Sequence, residues 1–181
     1  MAETDFFRMK ENNRIITRIY ASPCGTLKLG SFGDRLCLCD WPVERHRNHV
    51  DNRLHRLLDA EFVEGTSPVI EKAVVCLDEY FAGQRPEFDV PLLFVGTDFQ
   101  KKVWNALLSI PYGKTVSYGE MARMIGMPKA VRAVANANGA NAISIFAPCH
   151  RVIGSDHTLT GYGGGLAAKE YLLKLEKEYV S

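Results

Sequence analysis

Alternation with a period of two marks the start of the chain, and helical stripes follow it. Arg14–Tyr20 is rich in Ile, Thr and Tyr, Thr26–Ser31 alternates, and Arg35–Trp41 completes a set of three strands. Ser22-Pro23-Cys24-Gly25 and Gly33-Asp34 supply the turns, so the pattern predicts an antiparallel meander. The period then lengthens. Val50, Leu54, Leu57, Leu58 and Phe62 predict a helix over 50–62. Ser67 is a good N-cap with Pro68 behind it; Ile70, Val74, Leu77 and Phe81 form the stripe, and Gly83 is the stop. The polar stretch Gln84–Pro91 reads as a linker. It divides a scaffold part, residues 1–92, from a second part, residues 96–181.

The second part opens on Thr97-Asp98-Phe99-Gln100, a capping box leading into a helix that buries Phe99, Val103 and Leu107. A second capping box, Ser117-Tyr118-Gly119-Glu120, opens a short helix closed by Gly126. Pro128 starts a third helix, Lys129 to about Asn138, which Gly139 stops. Two short helices joined by a tight turn fit a helix-turn-helix and a plain helical hairpin equally well. Ile143–Phe146 reads as a short apolar strand, and Leu166–Tyr179 as a closing helix. The expected fold is therefore a small, mainly antiparallel sheet with helices, followed by a mostly α domain containing a helix-turn-helix.

Composition narrows the class. The 181 residues are 46% apolar and 24% charged, the balance of an ordinary globular chain. There is no run of 18 apolar residues, so no membrane span is expected. Met1–Lys10 lacks the apolar core of a signal peptide, and the five cysteines are odd in number and irregularly spaced. A cytoplasmic protein with reduced thiols follows. Cys37-x-Cys39 with His46 and His49 has the residue types of a zinc site but the spacing of no finger or ribbon, so small core side chains and no metal are expected. Net charge is +1, yet residues 1–98 carry 12 basic against 16 acidic side chains and residues 99–181 carry 10 against 5. Lys101, Lys102, Lys114, Arg123, Lys129 and Arg132 face a lone Glu120 in one stretch, a modest pointer to nucleic acid. The third helix offers Ala130, Ala133, Ala135 and Ala137 with a single Arg132. That surface is too short to read major-groove base edges and suits close approach to a narrow groove.

The chemistry gathers near the end. Cys149 and His150 are adjacent, and Glu176 lies beside the apolar face of the last helix. A thiol at its reference pKa is mostly protonated at neutral pH, so a nucleophilic cysteine needs a base, and the base needs an orienting group. Neighbours in a strand point to opposite faces, so a turn or a bridging water has to bring Cys149 and His150 together.

Pro148-Cys149-His150-Arg151-Val152-Ile153-Gly154 is preceded by Arg132-Ala133-Val134 and by the Asn138–Asn141 pair, and followed by Gly161-Tyr162-Gly163-Gly164-Gly165-Leu166. This series resembles the signature of the methylated-DNA–protein-cysteine methyltransferases, the O6-alkylguanine-DNA alkyltransferases. The resemblance runs from Thr97 to about Glu176. It implies a single-turnover transferase that flips an alkylated guanine out of double-stranded DNA from the minor-groove side. The alkyl group, from O6-alkylguanine or O4-alkylthymine, then moves irreversibly to Cys149. It also implies that His150 is the base acting through water, that Glu176 orients it, and that Asn141 braces the reactive turn. Tyr118 contacts the flipped base and supplies a proton. Arg132 fills the gap in the duplex, with Lys129, Ala130 and Ala133 beside it on the DNA. Pro148, Val152, Tyr162 and Gly163 belong to the base pocket. No cofactor is implied, and a monomer is expected. A non-reactive sensor of alkylated DNA is the alternative, disfavoured because Cys149 is present. Three departures stand out. Ala142 replaces a usual proline, His157 sits where glycine is usual, and Gly163 makes three consecutive glycines, which are expected to loosen the pocket loop toward bulky alkyl groups.

Overall fold

The computed structural model describes residues 13–159 and 161–180, with the backbone alone at 44–47. The reading of Met1–Lys10 lies outside the described residues, as does the side chain of His46. Strands β1 (Arg14–Ser22), β2 (Gly25–Phe32) and β3 (Arg35–Asp40) form the expected meander. A fourth strand, β4 (Glu61–Glu64), adds to the sheet parallel to β1, giving the order β3-β2-β1-β4.

That strand corrects the first helix. α1 spans Glu44–Leu58 and ends at Asp59, which turns left-handed at φ 48°. Phe62 therefore lies on β4. The helix reaches six residues further back than its apolar stripe because 44–49 are all polar and carry no periodic signal. α2 (Pro68–Phe81) begins as expected, the Ser67 hydroxyl accepting from the Ile70 N–H, and Gly83 follows its end at φ 74°.

In the second part both capping boxes close, at α3 (Asp98–Leu107) and α4 (Tyr118–Met124). α5 spans Val131–Gly139, starting two residues later than expected because 128–130 are taken up by a turn. α6 is Leu166–Tyr179. Short strands β5 (Val116–Ser117) and β6 (Val152–Ile153) pair parallel. The expected strand over Ile143–Phe146 does not form. Only Ile143 makes a bridge, to Cys39, and the chain then turns through Ile145 at φ 73°. A β-branched residue in that region is strained, and the segment is tied down on both sides.

The free edge of β3 explains the tie. Leu36 N–H donates to Pro91 O and Cys39 N–H to Ala142 O, while Leu93 N–H and Ser144 N–H donate back to Leu36 O and Cys39 O. The edge is covered by two extended segments, one from the stretch read as linker and one from the reactive loop. Both faces of β3 are buried, so Cys37 and Cys39 are core side chains. One apolar cluster joins the sheet and α2 to Ile143, Ile145, Phe146, Leu172 and Leu175. The other joins α3, α4 and α5 and contains Cys149 and Val152. No helix among the described residues is long and apolar enough to cross a membrane.

Candidate active site

Cys149-His150-Arg151 forms one turn of 3-10 helix, with Pro148 at its start. That turn replaces the extended conformation in which neighbouring side chains face apart. The loop ahead of it is braced by Asn141, whose Nδ2 donates to Ala147 O at 2.9 Å and whose Oδ1 accepts from Ile143 N at 3.0 Å. Asn138, at the end of α5, donates to Cys149 O at 3.4 Å and links that helix directly to the reactive turn.

His150 is wholly buried, its Nε2 2.7 Å from Glu176 Oε1. Glu176 also accepts from Tyr80 Oη at 2.8 Å, from Arg151 Nε at 2.9 Å and Nη2 at 2.8 Å, and from Gly113 N at 3.2 Å. Arg151 is fixed in turn by Ile110 O at 2.7 Å. Burial pushes the Glu176 carboxyl up, but the hydrogen bonds from His150 and Arg151, with the Arg151 charge, override it and hold it at about 2. Burial lowers His150 against the pull of Glu176, so the ring is neutral. With Nε2 donating to the carboxylate, Nδ1 is the basic nitrogen, and it is buried without a partner among the described residues.

Cys149 is buried. Burial raises its thiol; hydrogen bonds from Asn141 and Ser144 and the charge of Lys169 work the other way, and Asp40 adds to the rise. The resting sulfur is therefore a thiol. Lys169 has no solvent exposure and donates to Val152 O at 2.6 Å.

Two spaces lead to the sulfur. An open cleft of about 630 Å³ is walled by Tyr118, Asn136 and Asn138, by Tyr162 and Gly163, and by His49 of the first part. A slot of about 10 Å³ continues inward past Asn141, Ser144 and Tyr162 to Cys149. Tyr118, Tyr162, Gly163, Asn141 and Cys149 thus come together. Val152 is buried behind them, and Pro148 lines a different cleft of about 610 Å³ with Phe88 and Tyr112.

Two of the three glycines have a local reason. A Cβ on Gly164 would sit 2.5 Å from the Trp41 indole, and Gly165 has φ 87°. Close approach and backbone angle require glycine at these two positions. His157 holds φ 64°, a left-handed turn position tolerable for histidine.

Lys129, Arg132 and Ala133 are exposed and Ala130 half-exposed, on one surface at the start of α5. The far end of that helix is held by Trp104 Nε1 on Ala137 O at 2.8 Å and by Arg53 Nη2 on Ala140 O at 2.7 Å. Arg53 comes from α1. Sequence reasoning missed Tyr80, Arg53 and Trp41, all in the part read as scaffold, together with Arg151 and Lys169. A buried charge in an apolar stripe is the one signal that marks the last two.

The family model described as the 6-O-methylguanine DNA methyltransferase DNA-binding domain matches residues 98–178. The methylated-DNA–protein-cysteine methyltransferase of Mycobacterium tuberculosis is 62% identical over 105 residues, 58% of this chain and 64% of that protein, so the match spans just under two thirds of the relative. The protein of the same name from Haemophilus influenzae is 43% identical over 159 residues, 87% of this chain and 84% of its own. The crystal structure of the M. tuberculosis O6-methylguanine methyltransferase superposes with a TM-score of 0.77 at 45% identity, covering 92% of this chain and 95% of that one. The structure of M. tuberculosis OGT in complex with DNA gives 0.76 at 46%, with 92% and 94% covered. On the length and identity of these matches, the chain belongs to the methylated-DNA–protein-cysteine methyltransferase family.

Proposed function

We propose that the protein repairs DNA by moving the alkyl group of O6-alkylguanine, and of O4-alkylthymine, to Cys149. The observation that carries this reading is the buried His150–Glu176 pair, whose remaining basic nitrogen is unpartnered one residue from a buried thiol. The thiol proton passes through a water to His150 Nδ1, and Glu176 stabilises the imidazolium that results. The thiolate attacks the alkyl carbon as the carbon–O6 bond breaks and its electrons return to the base. Tyr118, on the wall of the cleft, supplies the proton that lets guanine leave. The product is a thioether that nothing in the site can cleave, so each molecule acts once. The lesion brings the transferred group, and no cofactor is required.

The substrate is double-stranded DNA, met from the minor-groove side. Ala130 and Ala133 allow close approach, Lys129 meets phosphate, and Arg132 fills the place of the flipped base. Asn138 and Asn141 connect that helix to the nucleophile's turn, so binding and chemistry share one rigid segment. Five unpaired thiols fit a reducing compartment, and we place the protein in the cytoplasm as a monomer.

Intact mass after mixing with a duplex carrying one O6-methylguanine tests the reading. The protein gains one methyl at Cys149 and no second. Cys149→Ala binds the duplex and gains none. Repeated turnover, or methylation elsewhere in the chain, overturns it.

A further inference from the structure

The path to the sulfur narrows sharply. The outer cleft of about 630 Å³ has room for a nucleobase, whereas the slot at Cys149, about 10 Å³, has room for about one water-sized group. Gly161, Tyr162 and Gly163 wall both spaces. What holds that wall in place lies outside the reactive part.

Trp41 follows β3 and is 3% exposed. Its indole is the surface on which Gly164 rests, for a Cβ there would come within 2.5 Å of both Cδ2 and Cε2. The Tyr162 ring meets the same indole edge-on, with centroids 5.9 Å apart. On another side the indole touches the β1–β2 hairpin, where a Cβ on Gly25 would lie 3.3 Å from Cζ3. Trp41 is thus wedged between a tight hairpin and the pocket loop. Its Nε1 and the Tyr162 hydroxyl are both buried and make no hydrogen bond of good geometry among the described residues, yet the indole N–H lies close enough to the hydroxyl to act on it, so ring packing and a weak polar contact together hold Tyr162 to Trp41.

We propose that Trp41 is a specificity-determining residue, which pins the Gly161–Gly165 loop against Cys149 and so limits the alkyl slot to a methyl-sized group. The proposal rests on the alkyl-transfer reading and names a size limit within it. Trp41 reaches neither the sulfur nor the cleft and acts only through Tyr162 and Gly164, which makes it a positioning residue. A benzyl group needs the wall to retreat, and retreat is blocked by an aromatic plate that is itself backed by the hairpin. Dense interiors do not yield by small continuous shifts. Removing the plate opens space directly beneath the loop.

The test compares single-turnover transfer from O6-methylguanine and O6-benzylguanine in the same duplex, for wild type and Trp41→Ala. The wild type favours methyl. The variant is expected to raise the benzyl-to-methyl rate ratio about tenfold, the low end for a methylene-scale change in an apolar pocket. Trp41→Leu carries the same expectation where the alanine variant does not fold. A merely structural role would slow both substrates in parallel, and an unchanged ratio in a folded variant overturns the proposal. A wild-type protein that accepts no methyl at all would instead overturn the reading beneath it.

Discussion

Burial leaves the Glu176 carboxylate without water, and Tyr80, Gly113, His150 and Arg151 replace it. A buried carboxylate held at about 2 is a stability statement as well as a catalytic one. Its folded value lies below the ordinary 4.5, so its contribution is present above that range and disappears as pH falls through about 2. The size is on the order of 3 kcal/mol. Glu176→Gln leaves Arg151 buried without its counter-charge, which is expected to cost about 3–5 kcal/mol at neutral pH. It should also flatten the acid limb of stability, which urea titrations at several pH values would reveal. A variant as acid-sensitive as the wild type contradicts the assignment. His150 works in the other sense. Its ring is held below the usual 6.5 by burial, so transfer is expected to persist on acidification past that value and to fail only once the ring takes a proton. A rate that already falls above pH 6.5 would count against His150 as the base.

At the level of elements, local chemistry was legible and long-range pairing was not. Ser67, Thr97 and Ser117 are N-caps whose partners lie three residues away, so the sequence displays the whole interaction. β4 is four residues long, and what makes it a strand is a parallel partner more than forty residues earlier. Ile143, Ile145 and Phe146 are apolar because they join the core under the sheet, and apolar runs mean burial before they mean strand. Cys149, His150 and Glu176 stand out in the series of motifs, and the fold joins the last two by a hydrogen bond, but Trp41, on which Gly164 and Tyr162 pack, carries no motif at all. α5 makes the prediction proper to this scale. Its far end is fixed by Trp104 and Arg53, and its near end presents Arg132 to solvent. Arg132→Ala is expected to slow transfer from duplex DNA about tenfold, as the lost stacking returns part of the few kcal/mol needed to extrude a base. Free O6-methylguanine needs no extrusion, so its rate should be unchanged. Equal slowing of both would refute the plug.

Over the whole molecule, the first part does more than carry the second. It supplies Tyr80 to the carboxylate, Arg53 to the end of α5, Trp41 to the pocket loop, and the β3 edge to which the reactive loop is hydrogen-bonded. Ile143, Ile145, Phe146, Leu172 and Leu175 belong to its apolar cluster. Residues 96–181 hold every group assigned to the reaction, yet alone they would expose those five side chains and leave a left-handed Ile145 with nothing to hold it. Burying a large aliphatic or aromatic side chain contributes about 1.5–3 kcal/mol, so their joint exposure approaches the whole stability of a domain this size. The fragment 96–181 is therefore expected to lack a cooperative thermal transition and to transfer methyl far more slowly than the full chain, its Cys149 open to ordinary thiol reagents. Adding residues 1–95 in trans should restore part of the rate. A fragment that melts cooperatively and accepts methyl at the full chain's rate would show that the sheet edge and Tyr80 are dispensable, and that the two parts are separate units after all.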